Sequence, residues 1–272
     1  MNGRYASRLR GRGLDFEELR KYLPSDDVRS IDWKVTARAG KPYVRVFTEE
    51  RDKPALIVLD QRISMFFGSI HNMKSVTAAE AAAIVAFRIQ DHGDRVGGIV
   101  FGDTHIAEVP PKKDCPSLMR FLQAVSAANQ MLKPDLDPVS SIQINQVLHA
   151  VQRIAKRDHL ILFISDFAEV DARTKILMDG LSRKNDVIVG LVSDPAGQAL
   201  PVSNTIVGTD SRLQAQLDLG NPETRHKLGA FTQQRLANIT DWSKQMRVTV
   251  MPLTAAEDTL LQMQRLSLGI GG

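Results

Sequence analysis

Short, unbroken apolar runs constrain this chain more than any other feature of it. Ala55-Leu56-Ile57-Val58-Leu59 ends in Asp60, and residues 159–164 end in Ser165-Asp166. Residues 96–101 and 187–192 are of the same kind, and 248–251 is expected as a last strand. Each has the length of a strand, and none alternates regularly with polar residues. Strands buried on both faces, as in parallel sheets, read this way. Helical patterns separate them at 75–90, 114–131, 144–155, 172–181, 222–242 and 257–266. Strands alternating with helices predict an α/β fold, a mostly parallel central sheet with helices on both faces. Residues 104–109 are expected as an edge strand beside 96–101, and 194–220 as loop and hairpin.

In open α/β sheets, ligands bind beyond the carboxyl ends of the strands. Two of the expected strands deliver an acid there, Asp60 and Asp166, and Ser64 follows the first. Taken singly, Ser64 and Asp166 are equally read as helix caps or loop hydrogen-bonding groups. Taken together, the three are the most informative constellation in the chain.

Residues 1–53 differ in character from 54–272 and are expected as a charged N-terminal segment packed on the domain. Phe16, Leu19 and Tyr22 have the spacing of one face of a short helix, which Pro24 ends. Ser25, Asp26 and Asp27 are natural caps for a second helical stretch. Residues 43–47 alternate and predict a strand. Asp26, Asp27, Arg29, Asp32, Lys34, Arg38 and Arg45 crowd around Trp33. Intermixed charges of both signs satisfy one another, so Asp26, Asp27, Arg29, Asp32 and Arg38 are expected as a structural ion-pair cluster. Its functional variant is a docking surface for a partner.

Several function classes are excluded. There is no Gly-x-x-x-x-Gly-Lys-Ser/Thr loop and no Gly-x-Ser-x-Gly elbow. The 6 histidines are scattered without ligand spacing, and the single cysteine, Cys115, has no partner for a disulfide or a metal cluster. No apolar run approaches the roughly 20 residues of a membrane span. Met1 to Gly13 is Arg-rich without the apolar segment of a secretory signal, so a cytoplasmic protein is expected. Arg4, Arg8, Arg10 and Arg12 carry much of the net charge of +4. Such an arm suits phosphates or an anionic surface, or is a solvated tail.

A family resemblance rests on a long motif. Phe16-Glu17-Glu18-Leu19-Arg20-Lys21-Tyr22-Leu23-Pro24-Ser25-Asp26-Asp27-Val28-Arg29-Ser30-Ile31-Asp32-Trp33-Lys34-Val35-Thr36-Ala37-Arg38 closely resembles the signature of domain-of-unknown-function family fifty-eight. Glu49-Glu50-Arg51, Gly93-Asp94-Arg95-Val96-Gly97 and Ser165-Asp166-Phe167 follow in the family's order. The resemblance implies a von Willebrand factor A-like, Rossmann-like domain with its own N-terminal segment. It also implies partnership with a MoxR-type AAA+ ATPase in complex assembly or maturation, and no enzymatic activity.

The resemblance further implies a metal-ion-dependent adhesion site, Asp-x-Ser-x-Ser after the first strand, completed by a later threonine and a strand-end aspartate. Here the motif reads Asp60-Gln61-Arg62-Ile63-Ser64, and the threonine falls near Ile142 with Ser140 and Ser141 beside it. Asp60, Ser64, Ser141 and Asp166 remain as candidate ligands for Mg²⁺. A guanidinium cannot ligate a cation. Either Arg62 turns to solvent and weak metal binding survives, or it takes the metal's position against Asp60 and Asp166, with no cofactor needed. Asp60, Arg62, Ser64 and Asp166 are also the candidate partner-binding set, with an outward Arg62 receiving a partner carboxylate. The expected function is a non-enzymatic interaction module. The alternatives are a metal-dependent phosphoester hydrolase and a binder of nucleic acid or anionic surfaces through the Arg-rich N-terminus.

Overall fold

The computed structural model describes residues 14–49, 53–133, 142–195, 205–210, 213–218, 230 and 233–269. The chain divides into two compact units, Met1–Asp52 and Lys53–Gly272.

The first unit is built on an antiparallel pair, β1 (Leu14–Lys21) and β2 (Tyr43–Glu49). The stretch expected as a helix around Phe16 and Leu19 is therefore a strand. Its three-residue interval comes from a β-bulge. Phe16 lies opposite Phe47 and Leu19 opposite Arg45, so Glu17 is the extra residue. A 3₁₀ turn, Val28–Ser30, is capped by Asp27, and the seven-residue helix α1 (Trp33–Ala39) is capped by Asp32 and closed by Gly40 at φ +67°. A helix this short is not stable alone. It is held because the Asp32 carboxylate accepts the N–H groups of Lys34 and Val35, and Thr36 Oγ1 accepts that of Tyr43.

The second unit is a six-stranded sheet, containing β3 (Ala55–Asp60), β4 (Val96–Phe101), β5 (Ile106–Lys112), β6 (Leu160–Ser165), β7 (Asp186–Ser193) and β10 (Val248–Thr254) in the spatial order β10-β7-β6-β3-β4-β5. All neighbours are parallel except β5, which runs antiparallel to β4 at the edge. Pro110 and Pro111 suit that edge, where missing N–H groups cost no ladder bond. A separate hairpin joins β8 (Thr205–Asp210) to β9 (Leu213–Asp218).

Every residue of β3 is buried because the sheet is covered on both sides. Ile57 and Leu59 face a core shared with α2 (Lys74–Asp91) and α3 (Cys115–Met131), through Ala78, Ala82, Leu118 and Phe121. Leu56 and Val58 face the other core, shared with α4 (Ile144–Ile154), α5 (Ala172–Ser182) and α6 (Trp242–Gln245), through Val147, Leu148, Met178 and Trp242. Residues 233–240 are helical ahead of α6, whereas 222–229 of the expected helix lie outside the described residues. Helix α7 (Thr259–Gly269) ends the described chain. No described helix is long and apolar enough to cross a membrane.

The chain enters this sheet in its middle. From β3 it winds outward to β4 and β5, then crosses back to β6, β7 and β10. The order reverses between β3 and β6, and such a reversal opens a crevice beyond the carboxyl ends of the two strands. Asp60 ends β3, and Ser165-Asp166 ends β6.

Candidate functional site

The crevice holds a buried ionic network. Arg62 turns back onto its own strand end, and its guanidinium forks onto Asp60, Nε donating to Oδ1 at 3.0 Å and Nη2 to Oδ2 at 2.8 Å. The Arg62 backbone N–H also donates to Oδ1, and Ser165 Oγ donates to Oδ2 at 2.7 Å. Nη1 of Arg62 donates to Glu169 at 3.0 Å and to the carbonyl of Ile142 at 3.3 Å. Its Cζ lies 5.4 Å from the centre of the Phe101 ring. Asp60 is 0% exposed and Arg62 only 2%, so the pair has left water entirely. Burial pulls the Arg62 pKa down, but the charges of Asp60, Asp166 and Glu169 outweigh it and hold it above the usual guanidinium value.

A second pair sits beside the first. Lys74 Nζ donates to Asp166 Oδ2 at 2.6 Å, and both side chains are buried. Burial pushes the Asp166 carboxyl up, yet Lys74, Arg235 and Arg62 together hold it below its ordinary value. Phe167 follows at φ +50°, a left-handed conformation costly for a bulky residue. That turn lets the Phe167 N–H donate to Ser165 Oγ and the Ala168 N–H to Asp166 Oδ1, while the Phe167 ring packs 5.7 Å from that of Trp242.

The connection from β3 to α2 is braced at several points. The Ile63 N–H donates to Asp103, the Ser69 N–H and Oγ donate to Asp194, and the Asn72 N–H donates to the carbonyl of Ala255. Gln61 is buried and bridges Ser75 and Asn129.

A family model described as "Protein of unknown function DUF58" matches residues 18–237. The chain belongs to the DUF58 family. Uncharacterised proteins of Mycobacterium tuberculosis and Mycobacterium bovis are each 27% identical to it over 214 residues, 78% of this chain and 65% of theirs. It thus spans less than two thirds of the length of those curated relatives. Solved structures similar to it include the conserved hypothetical protein BatB from Bacteroides thetaiotaomicron (TM-score 0.45, 14% identity, 81% of this chain and 100% of that one). Two are von Willebrand factor A domains. One is from SpRpn10 (0.44, 10%, 78% and 94%), the other from Catenulispora acidiphila (0.41, 11%, 84% and 43%).

The donor set of this DUF58 chain does not fit Mg²⁺. That ion asks for an octahedron of oxygens with free lone pairs. Here both oxygens of Asp60 accept from Arg62, and Asp166 accepts from Lys74. Ser64 Oγ is buried and is left without a hydrogen-bond partner, while Ser141 lies outside the described residues. Near the expected threonine, Ile142 contributes a carbonyl, and it accepts from the guanidinium. Among the described residues no group of three or more His, Cys, Asp or Glu could hold a metal ion.

Two expectations need correction. Arg62 does not face outward, so it cannot receive a partner carboxylate directly. Asp60 and Asp166 are equally buried, and so is the Ser64 hydroxyl, so the four are no contact surface. Nor does Arg62 hydrogen-bond both strand-end acids, since Lys74 takes Asp166. Lys74 and Glu169 went unnoticed in the sequence, and Ser165 was noted only as part of a strand-end motif. One signal was there. Lys74 opens α2, where a cation opposes the helix dipole and needs some other reason to be.

In the N-terminal cluster Asp26 and Asp32 are ion-paired, but not with Arg29 or Arg38 of the expected set. Arg20 forks onto Asp26 at 2.7 Å, and Arg45 holds Asp32 at 2.7 Å. Those hydrogen bonds keep both carboxyls below their usual range. Arg29 gives only its backbone N–H to Asp27, and Arg38 is exposed on α1. The reason is geometric. Pairing of β1 with β2, with Leu19 opposite Arg45 and Arg20 opposite Val44, sets Arg20 and Arg45 side by side at the base of the excursion that carries Asp26 and Asp32.

Proposed function

We propose that this DUF58 protein is a non-enzymatic adaptor of the cytoplasm that binds a protein partner, a MoxR-type AAA+ ATPase, in the assembly or maturation of a complex. One observation carries the reading: the strand-end acids, which would serve a hydrolase as base, nucleophile or metal ligand, are each neutralised by a buried cation of the same chain. Freeing either would strand a charge in the interior, at a cost of several kcal/mol. The crevice therefore acts as a keystone that fixes its loops, and binding falls to what those loops show outward. The β3–α2 connection exposes Phe67, Ile70 and Met73 beside the keystone.

In this reading fixed charges do the work of a divalent ion, so partner capture is independent of metal. The test is affinity capture with the tagged chain from native lysate, read by mass spectrometry, once with Mg²⁺ and once with chelator. Enrichment of a MoxR-type ATPase under both conditions is the expected result. Its absence under both would sink the partnership. Separately, Mn²⁺-dependent hydrolysis of phosphoesters that is lost in Asp60→Ala would overturn the non-enzymatic reading.

A further inference from the structure

Among the described residues between β1 and β2, two of three carboxylates are held in ion pairs while the segment's own cations and several apolar side chains are exposed. Between the two strands, residues 22–42 form a closed excursion, since the Tyr22 N–H donates to the carbonyl of Pro42 at its base. Its acids are Asp26, Asp27 and Asp32. Asp26 is taken by Arg20, Asp32 by Arg45, and Asp27 caps the 3₁₀ turn. Its cations, Arg29, Lys34, Arg38 and Lys41, are all exposed and form no ion pair with described residues. The outward charge of the excursion is therefore positive, opposed chiefly by Asp27.

Apolar side chains of the same excursion are exposed as well. Trp33 is 66% exposed, Val28 55% and Leu23 52%. On α1, residues 33, 34, 37 and 38 are exposed while 35 and 36 are half-buried. At about 100° per residue, Trp33, Lys34, Ala37 and Arg38 then occupy one arc of roughly 140°. An indole in that position contributes nothing to a core, and α1 buries no residue fully. It is also held in place, because the cap on Asp32, the Arg45 ion pair and the Thr36–Tyr43 bond brace the turn that carries it. A braced, solvent-facing Trp flanked by Arg and Lys has the make-up of an interface anchor, and bracing lowers the entropy cost of binding.

We propose that the excursion between β1 and β2, through its exposed Leu23, Val28, Trp33, Lys34 and Arg38, docks an acidic protein segment that bears apolar side chains. Charge complementarity sets the sign of the partner, and the three apolar groups among the cations set its amphipathic character. A phosphate backbone would match only the charges.

The inference does not depend on the identity of the ATPase, and its test uses defined probes. The chain has 2 tryptophans, and Trp242 is buried, so Trp242→Phe makes Trp33 the sole reporter. That full-length variant is titrated with a synthetic peptide alternating Glu with Leu and Phe. Poly-Glu, the matching Lys peptide, single-stranded RNA and anionic vesicles are run in parallel. The expected result is a blue shift of Trp33 emission with the Glu/Leu/Phe peptide, weakening as salt rises. In the Trp242-containing chain, calorimetry should show about tenfold weaker binding for Trp33→Ala and for Lys34→Glu/Arg38→Glu, each folded by circular dichroism. No blue shift, unchanged affinity in Trp33→Ala, or tighter binding of RNA or vesicles than of the peptide would overturn the proposal.

Discussion

Arg62 shows how one side chain decides the character of a site. Its guanidinium fills both oxygens of Asp60 in a planar fork that no other residue reproduces. Arg62→Leu removes the cation and leaves Asp60 buried and charged. It should cost about 3–5 kcal/mol in urea denaturation, and Arg62→Lys should be destabilising too, because an ammonium cannot fork. The companion Asp60→Asn/Arg62→Leu should recover part of the loss. Addition of Mg²⁺ or chelator should leave the thermal midpoint of the wild-type chain where it is, since only a ligand that binds the native state raises it. An Mg²⁺-dependent rise that disappears in Asp60→Ala would contradict the fixed-cation reading.

Elements meet here with little slack. Gly98, in the middle of β4, lies directly under Phe121 of α3. A Cβ there would lie 2.2 Å from a ring carbon of Phe121 and 2.7 Å from the carbonyl oxygen of Ile57 on β3. Gly98→Ala should therefore destabilise by about 1–3 kcal/mol through overpacking, measured by chemical unfolding. Lys74 makes the opposite point at the start of α2. Replacing it by Met would suit the helix dipole, worth about 0.3–1 kcal/mol at an exposed end. The buried Asp166 it abandons costs more, so Lys74→Met should unfold at lower urea than wild type. A more stable variant would mean that Asp166 finds another partner. Much of this level was legible in the chain. The runs ending in Asp60 and Asp166 are β3 and β6, and residues 106–112 form the edge strand expected nearby. The bulge at Glu17 was not, because a strand with one extra residue spaces its apolar side chains as a helix does.

At the scale of the molecule, the acids tie folding to pH. Asp166 is held below its ordinary carboxyl value of 3.8 despite burial, and so are Asp114, through its bonds to Ser117, and Asp171, through its bond to the Thr174 backbone. A carboxyl whose pKa is lower in the folded state stabilises the fold fully above its unfolded value. That contribution drains away as pH falls through the folded value. Stability should thus be flat above about pH 5 and fall steeply below the 3.8 of the unfolded groups. Urea midpoints taken between neutral pH and about pH 2 would check this, and a fall beginning near neutrality would count against it.

The layered α/β architecture could be read from the chain alone, because period and length of apolar runs report burial directly. The strand-end acids were visible for the same reason, since a run that stops at Asp marks where the sheet meets its loops. What surrounds those acids could not be read. Lys74 is 92 residues from Asp166, and Glu169 is 107 from Arg62. The direction of Arg62, inward rather than to solvent, depends on the pocket made by Phe101, Ile142, Ser165 and Glu169 once β3 and β6 lie side by side. Ion pairs between distant positions leave no period in a sequence, and folding chooses among the partners that composition makes available.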